Sequence, residues 1–308
     1  MTTLFSPDMF GNDTVVNALI AGTVVAVVTA VLGFFVVLRG LSFAGHAITD
    51  IGFTGGSAAV LLGVPELWGL MAFCTLAALG IALLAGAPEG GGARDRDVAT
   101  GVILALAFGL GALFLYAGDH LTVGAHNVNT TFTLLFGSIF DADPSVTPVM
   151  AAIGLACLVA LAALYRPLMF ASVSPETAAA RGVPVRLIGV LFLIVMALAV
   201  AETAQVVGVL LSTALLIGPA ATATYLTAHA GRAIALAVVL GVVETWVGVT
   251  LAYDSYTWGG GTGWPVSAFI TLLALGAYLL ARALRPAARR RERLLARANA
   301  GLGARVGA

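Results

Sequence analysis

Long apolar runs recur along this chain, separated by short polar stretches. The runs cover residues 15–38, 43–62, 67–87, 98–117, 146–165, 187–201, 206–228, 234–253 and 266–283. An α-helix needs about 20 apolar residues to cross the hydrocarbon core of a bilayer. The pattern therefore predicts an all-α, polytopic transmembrane helix bundle of about nine spans. Glu202 and Gln205 interrupt the stretch 187–228, which leaves eight to ten spans open. Segment 131–140 is apolar but too short to span, and Gly137 weakens it; it reads as a re-entrant or half helix. The first run is too long for a signal-peptide core. Residues 1–17 carry Asp8 and Asp13 but no basic residue, so the run reads as a retained span.

Composition agrees. Of the 308 residues, 60% are hydrophobic and 10% charged, against about 25% charged in a soluble domain. So few charges cannot cover a water-facing surface, and most of the exterior must face lipid. Net charge is zero, which gives no nucleic-acid reading. Cys74 and Cys157 sit inside apolar runs without CxxC spacing, as small buried hydrophobes do.

All fifteen basic residues are arginines. A Walker A loop needs a lysine to reach the nucleotide phosphates. Without one the chain cannot carry that loop, and if ATP drives it, another subunit hydrolyses the ATP. His46 and Asp50 form no HExxH pair and no GxSxG motif occurs, so the chain is not expected to be an enzyme. The arginines also orient the bundle. With nine spans, Arg39, Arg94, Arg96, Arg166, Arg181, Arg186, Arg232 and those from Arg282 to Arg305 all fall on one side. That side is expected to be cytoplasmic, with the N-terminus outside and the C-terminus cytoplasmic. Residues 1–285 form the transmembrane unit, and 286–308 form an arginine-rich tail. The tail serves either as a contact for anionic membrane lipid or as an orientation signal.

Ionisable groups inside a membrane are costly and mark functional sites. His46 and Asp50 lie in Phe43-Ala-Gly-His-Ala-Ile-Thr-Asp-Ile-Gly52. One helical turn apart, they share a face, with Cβ atoms about 5–6 Å from each other. Imidazole with carboxylate suits zinc, manganese or ferrous iron. Two ligands alone make a weak site, and a two-fold partner would supply two more. The other reading is a His–Asp pair that satisfies itself. Glu202 and Glu244 are further deep acids that could line a pathway, or be protonated or paired. Asp119, His120 and His126 could capture ions at an outer entrance, or form an ordinary polar loop.

The polar segment 172–184 lies between spans. Ser174 fits an N-cap with Pro175 at N1 and Glu176 in the first turn, and Arg181 and Gly182 fit the helix end. Such a short cytoplasmic helix could act as a lever for a motor subunit or as a simple connector.

Several segments, in order over residues 15–280, resemble the metal-transporting ABC-3 permease family. They are Phe35-Val-Val-Leu-Arg-Gly-Leu-Ser-Phe-Ala-Gly45, Leu134-Leu-Phe-Gly-Ser-Ile139 with Asp143-Pro-Ser145, Ser174-Pro-Glu176 with Arg181-Gly-Val-Pro184, and Val207-Gly-Val-Leu-Leu-Ser-Thr-Ala-Leu-Leu-Ile-Gly-Pro-Ala-Ala-Thr-Ala223. The family typically shows Gly-Asp-Ala-x-x-His after its first loop. Here the order is Gly45-His46-Ala47-Ile48-Thr49-Asp50, with the two ligand types exchanged at the same spacing. The resemblance implies the permease subunit of an ATP-binding-cassette importer in the cytoplasmic membrane. It would move zinc, manganese or ferrous iron by alternating access, with His46 and Asp50 passing the metal. The metal would be cargo, with no cofactor bound permanently. Implied partners are a second permease copy in a homo- or heterodimer, ABC ATPase subunits docked on segment 174–184, and an extracytoplasmic metal-binding protein. Two other readings remain: an ABC permease for a metal chelate, and an ion-coupled secondary transporter with Glu202 and Glu244 as its coupling acids.

Overall fold

The structure, a computed structural model, describes residues 11–84, 93–121, 134–137, 139–140, 146–258 and 263–284. Its long helices are α1 (Asp13–Leu38), α2 (Ser42–Leu62), α3 (Glu66–Leu84), α4 (Ala93–Leu121), α5 (Thr147–Val173), α7 (Val185–Val207), α8 (Val209–Leu226) and α9 (Ala230–Trp258), followed by α10 (Val266–Leu284). The short α6 (Pro175–Ala180) stands between α5 and α7. No strand occurs among the described residues. Seven of the helices are long and apolar enough to cross a membrane, α2 and α8 standing outside that set. The arginine-rich tail lies outside the described residues.

Each helix follows from local sequence. The Asn12 side chain caps α1 by accepting from the Thr14 N–H, with Asp13 in the first turn where the helix dipole favours an acid. Helix α7 runs straight through Glu202 and Gln205 and stops at Gly208. Both polar residues sit within one helix, and the backbone at Gly208 makes the break. Helix α5 continues past Arg166 and through Pro167 to Val173, well beyond the end of its apolar run.

Helices α1 and α7 form the middle of the bundle, each about two-thirds buried over its most apolar window. Helix α1 packs on α5, α7, α8 and α9, whereas α2 packs on α3, α4, α7 and α8. Helix α10 closes against α8 and α9 through Gly218–Ala274 and Gly248–Ile270. At the periphery, α4 and α5 expose Val102, Leu106, Leu113, Leu155 and Val159. An exterior of bare aliphatic side chains suits lipid, which costs them nothing. Helix α2 is different: every residue from 47 to 59 is buried. Its glycines, threonines and Asp50 lower its hydropathy, and neighbouring helices shield them from the membrane.

Arg39, Arg96 and Arg166 gather near the Leu38 end of α1. Arg39 lies 5.4 Å from the centre of the Phe192 ring on α7, and Arg96 donates to the Gly40 carbonyl at 3.1 Å. Phe35 meets Tyr165 edge-on at 5.9 Å, next to Arg166. Burial first, and the neighbouring Arg96 second, lower the pKa of Arg39 from its ordinary value.

Candidate metal centre

His46 and Asp50 lie one turn apart on α2. His46 Nε2 is 3.3 Å from Asp50 Oδ2, and the two side chains are 45% and 7% exposed. The histidine therefore opens toward the outside of this chain while the carboxylate points inward. Asp50 Oδ1 is buried with no hydrogen-bond partner. A buried acceptor left unpaired costs about 1–3 kcal/mol, and a cation is one partner that removes that cost. The opposite face of the His46 ring is also held: Nδ1 lies 3.0 Å from Thr213 Oγ1 on α8. With a rise of about 1.5 Å per residue, the pair sits about 6–12 Å inside the arginine-bearing end of α2.

Local backbone packing builds this arrangement. Gly45, Gly52 and the residues between them bring α2 against α7 and α8, where Gly45 faces Leu216 and Met196 and Gly52 faces Val209. Cys74 of α3 donates to the Ile48 carbonyl at 3.3 Å, behind the pair. Both cysteines are free and buried.

The deep acids do not join the pair. Among the described residues no three His, Cys, Asp or Glu side chains gather into a group able to hold a metal ion. Glu202 is fully buried and faces Gly154 of α5 beside Val24 and Val28 of α1. Glu244 is buried on α9. Neither carboxylate has a hydrogen-bond partner on either oxygen. His120 is exposed and its Nδ1 lies 2.8 Å from the Tyr116 carbonyl. The side chain of Asp119 and all of His126 lie outside the described residues.

Segment 172–184 folds as a helix between two caps. Ser174 occupies the N-cap with Pro175 at N1, but its hydroxyl donates to Thr177 Oγ1 at 2.7 Å and accepts from no backbone N–H. At the other end, Gly182 N–H donates to the Ala179 carbonyl at 2.9 Å and Val183 N–H to the Ala178 carbonyl at 3.0 Å. That pair of bonds is a Schellman motif, and it needs the left-handed φ of 81° that Gly182 adopts. Glu176 and Arg181 are exposed.

Residues 12–284 match the ABC 3 transport family. This chain belongs to that family. It is a multi-pass protein of the cell membrane and a transport subunit, not an enzyme. The ABC 3 chain is similar to the manganese transport system membrane protein MntC of Halalkalibacterium halodurans, 28% identical over 254 residues that cover 82% of this chain and 84% of the relative. It is also similar to a protein of Haemophilus influenzae named for iron transport, 30% identical over 271 residues, 88% and 91% of the two chains. In three dimensions it resembles a chain of PsaBC from Streptococcus pneumoniae, solved with a Fab, with a TM-score of 0.74, 26% identity and coverage of 89% and 93%. Thr213 is the site residue that sequence reasoning missed. It stands 167 positions from His46 in a motif that fixes its helix but names no partner for its hydroxyl.

Proposed function

We propose that this chain is the permease of an ATP-driven importer for a divalent transition metal ion, and that His46 and Asp50 carry the ion. The observation behind this reading is the geometry of the pair. An imidazole nitrogen and a carboxylate oxygen lie 3.3 Å apart, the ring is 45% exposed on the outside of the chain, and a second carboxylate oxygen is buried without a partner. Two ligands hold an ion too weakly for storage, which suits cargo that must leave again. A second permease copy, alike or different, would bring a matching pair and complete a four-ligand set. Relatives named for manganese and for iron transport support a cargo ion that accepts mixed imidazole and carboxylate ligands. Manganese fits best, with ferrous iron and zinc in the same class.

Nine crossings follow if α2 and α8 also span, shielded by their neighbours. The arginine-bearing end would then be cytoplasmic, the N-terminus outside, and residues 286–308 a cytoplasmic tail beside anionic lipid. Helix α6, with Ser174, Pro175, Glu176, Arg181 and Gly182, would dock on an ABC ATPase and turn its closure into alternating access. An extracytoplasmic metal-binding protein would deliver the ion. Glu202 and Glu244 would be acids along the pathway.

Radioactive manganese uptake in an importer-deficient host tests this directly. Uptake is expected only when the chain is expressed with its ATPase. Uptake by the chain alone would instead support an ion-coupled secondary transporter.

A further inference from the structure

Both nitrogens of the His46 ring are engaged, at 3.3 Å by Asp50 and at 3.0 Å by Thr213 Oγ1. The ring is held from an element other than its own. Thr213 belongs to α8, which reaches α2 where Gly45 faces Leu216 and Gly52 faces Val209. A metal that binds His46 beside Asp50 must use Nε2, the nitrogen on the Asp50 side. Loading therefore changes what the other nitrogen requires.

Without an ion, a neutral ring that keeps its proton on Nε2 turns it toward the Asp50 carboxylate 3.3 Å away, so Nδ1 carries the lone pair and needs a donor. With an ion on Nε2, the ring keeps its single proton on Nδ1, which now needs an acceptor. The proton leaves Nε2 and one is taken up at Nδ1 through solvent, so the ring gains and loses none overall. A threonine hydroxyl is both donor and acceptor and rotates to suit. It serves the empty ring by donating and the loaded ring by accepting. A carbonyl or an amide N–H could do only one of the two. When the hydroxyl accepts, its own hydrogen can turn to the carbonyl one helical turn back.

We propose that Thr213 is a positioning residue that holds the His46 imidazole in place, with Nε2 presented beside Asp50, in both the empty and the loaded state. This rests on the reading of His46 and Asp50 as the metal-carrying pair. Outer partners of metal-binding histidines fix tautomer and ring orientation, and their loss typically weakens binding about 10–100-fold.

The test uses the full chain, purified in lipid nanodiscs, with Mn(II) as the probe. Binding is read from loss of the free-ion electron paramagnetic resonance signal. Coordination is read from the nitrogen coupling of a bound imidazole in the pulsed experiment. Thr213→Val keeps the shape and removes the hydroxyl. Thr213→Ala is the second variant should Val disturb packing, and Thr213→Ser keeps the hydroxyl. Val and Ala are expected to weaken binding at least about 10-fold and to diminish the nitrogen coupling, with Ser close to wild type. Adding Thr213→Val to His46→Ala should cost nothing more. Wild-type binding by Val and Ala, or an equal loss by Val in the His46→Ala background, would overturn the positioning role and leave the metal pair standing. Unchanged binding by His46→Ala would overturn the pair itself, and the role of Thr213 with it.

Discussion

Gly137 and Gly208 meet backbone to backbone, both at positive φ, 79° and 93°. A Cβ on Gly137 would lie 2.6 Å from the Gly208 nitrogen, and one on Gly208 would lie 2.6 Å from the Leu135 carbonyl oxygen. The short segment around Gly137 is thus seated on the break between α7 and α8. Gly208, with ψ at 153°, occupies backbone space that is essentially reserved for glycine. Alanine at either position therefore combines backbone strain with overpacking, each of order 1–3 kcal/mol. Thermal unfolding of the purified protein should show both single variants lowered by several degrees. The double variant should fall by less than the sum, because the two residues share one contact. Wild-type midpoints would mean that the segment is not seated there.

Glu202 brings a different expectation. Its carboxylate is fully buried and neither oxygen is partnered, so the folded protein carries a cost of about 1–3 kcal/mol for keeping it. Glu202→Leu is expected to raise thermal stability and, if the acid serves the pathway, to slow metal uptake about five-fold or more, the usual exchange of function for stability. A variant that is more stable and fully active would remove Glu202 from the pathway. Glu244, equally unpartnered, is open to the same comparison.

Two exposed charges flank α6, Glu176 in its first turn and Arg181 at its C-cap. Glu176 and Arg181 lie on the surface, where substitutions usually change stability by no more than about 0.5 kcal/mol. Glu176→Gln combined with Arg181→Gln should shift the unfolding midpoint by a few degrees at most, the Arg181 contact with the Phe170 ring and the helix-dipole terms being small, and reduce recovery of the ATPase in affinity purification. Undiminished recovery would make α6 a simple connector.

A shared site predicts a stoichiometry. Native mass spectrometry of the permease released from lipid should find one Mn(II) per pair of chains, lost from pairs with Asp50→Ala in both copies. One ion per single chain would mean that His46 and Asp50 hold it without a second copy.

The sequence carried much of this unevenly. The positions of the helices followed from apolar runs because lipid demands such runs. The His46–Asp50 pair followed from spacing within a single helix, and the Gly182 end of α6 from residue types at fixed offsets, whereas Ser174 makes no side-chain cap bond. What failed to show was tertiary. Glu202 and Gln205 look like an interruption because their polarity is visible in the sequence, whereas α7 runs through them because α1 and α5 bury Glu202 and Glu66 of α3 bonds the Gln205 side chain. The true break, at Gly208, is a matter of φ and of a neighbour more than 70 positions earlier. Thr213 looks like any threonine in an apolar helix until α8 is laid against α2. Helix α2 itself is less apolar than a lipid-facing span because other helices surround it.

Cellular manganese content, measured by elemental mass spectrometry in an importer-deficient host, tests whether His46 and Asp50 carry the ion. The host carries the chain with its ATPase and metal-binding protein, as wild type, His46→Ala or Asp50→Ala, at matched expression. Manganese is expected to accumulate with wild type and to fall to the level of the empty host with either substitution. Accumulation that persists in both variants would contradict it.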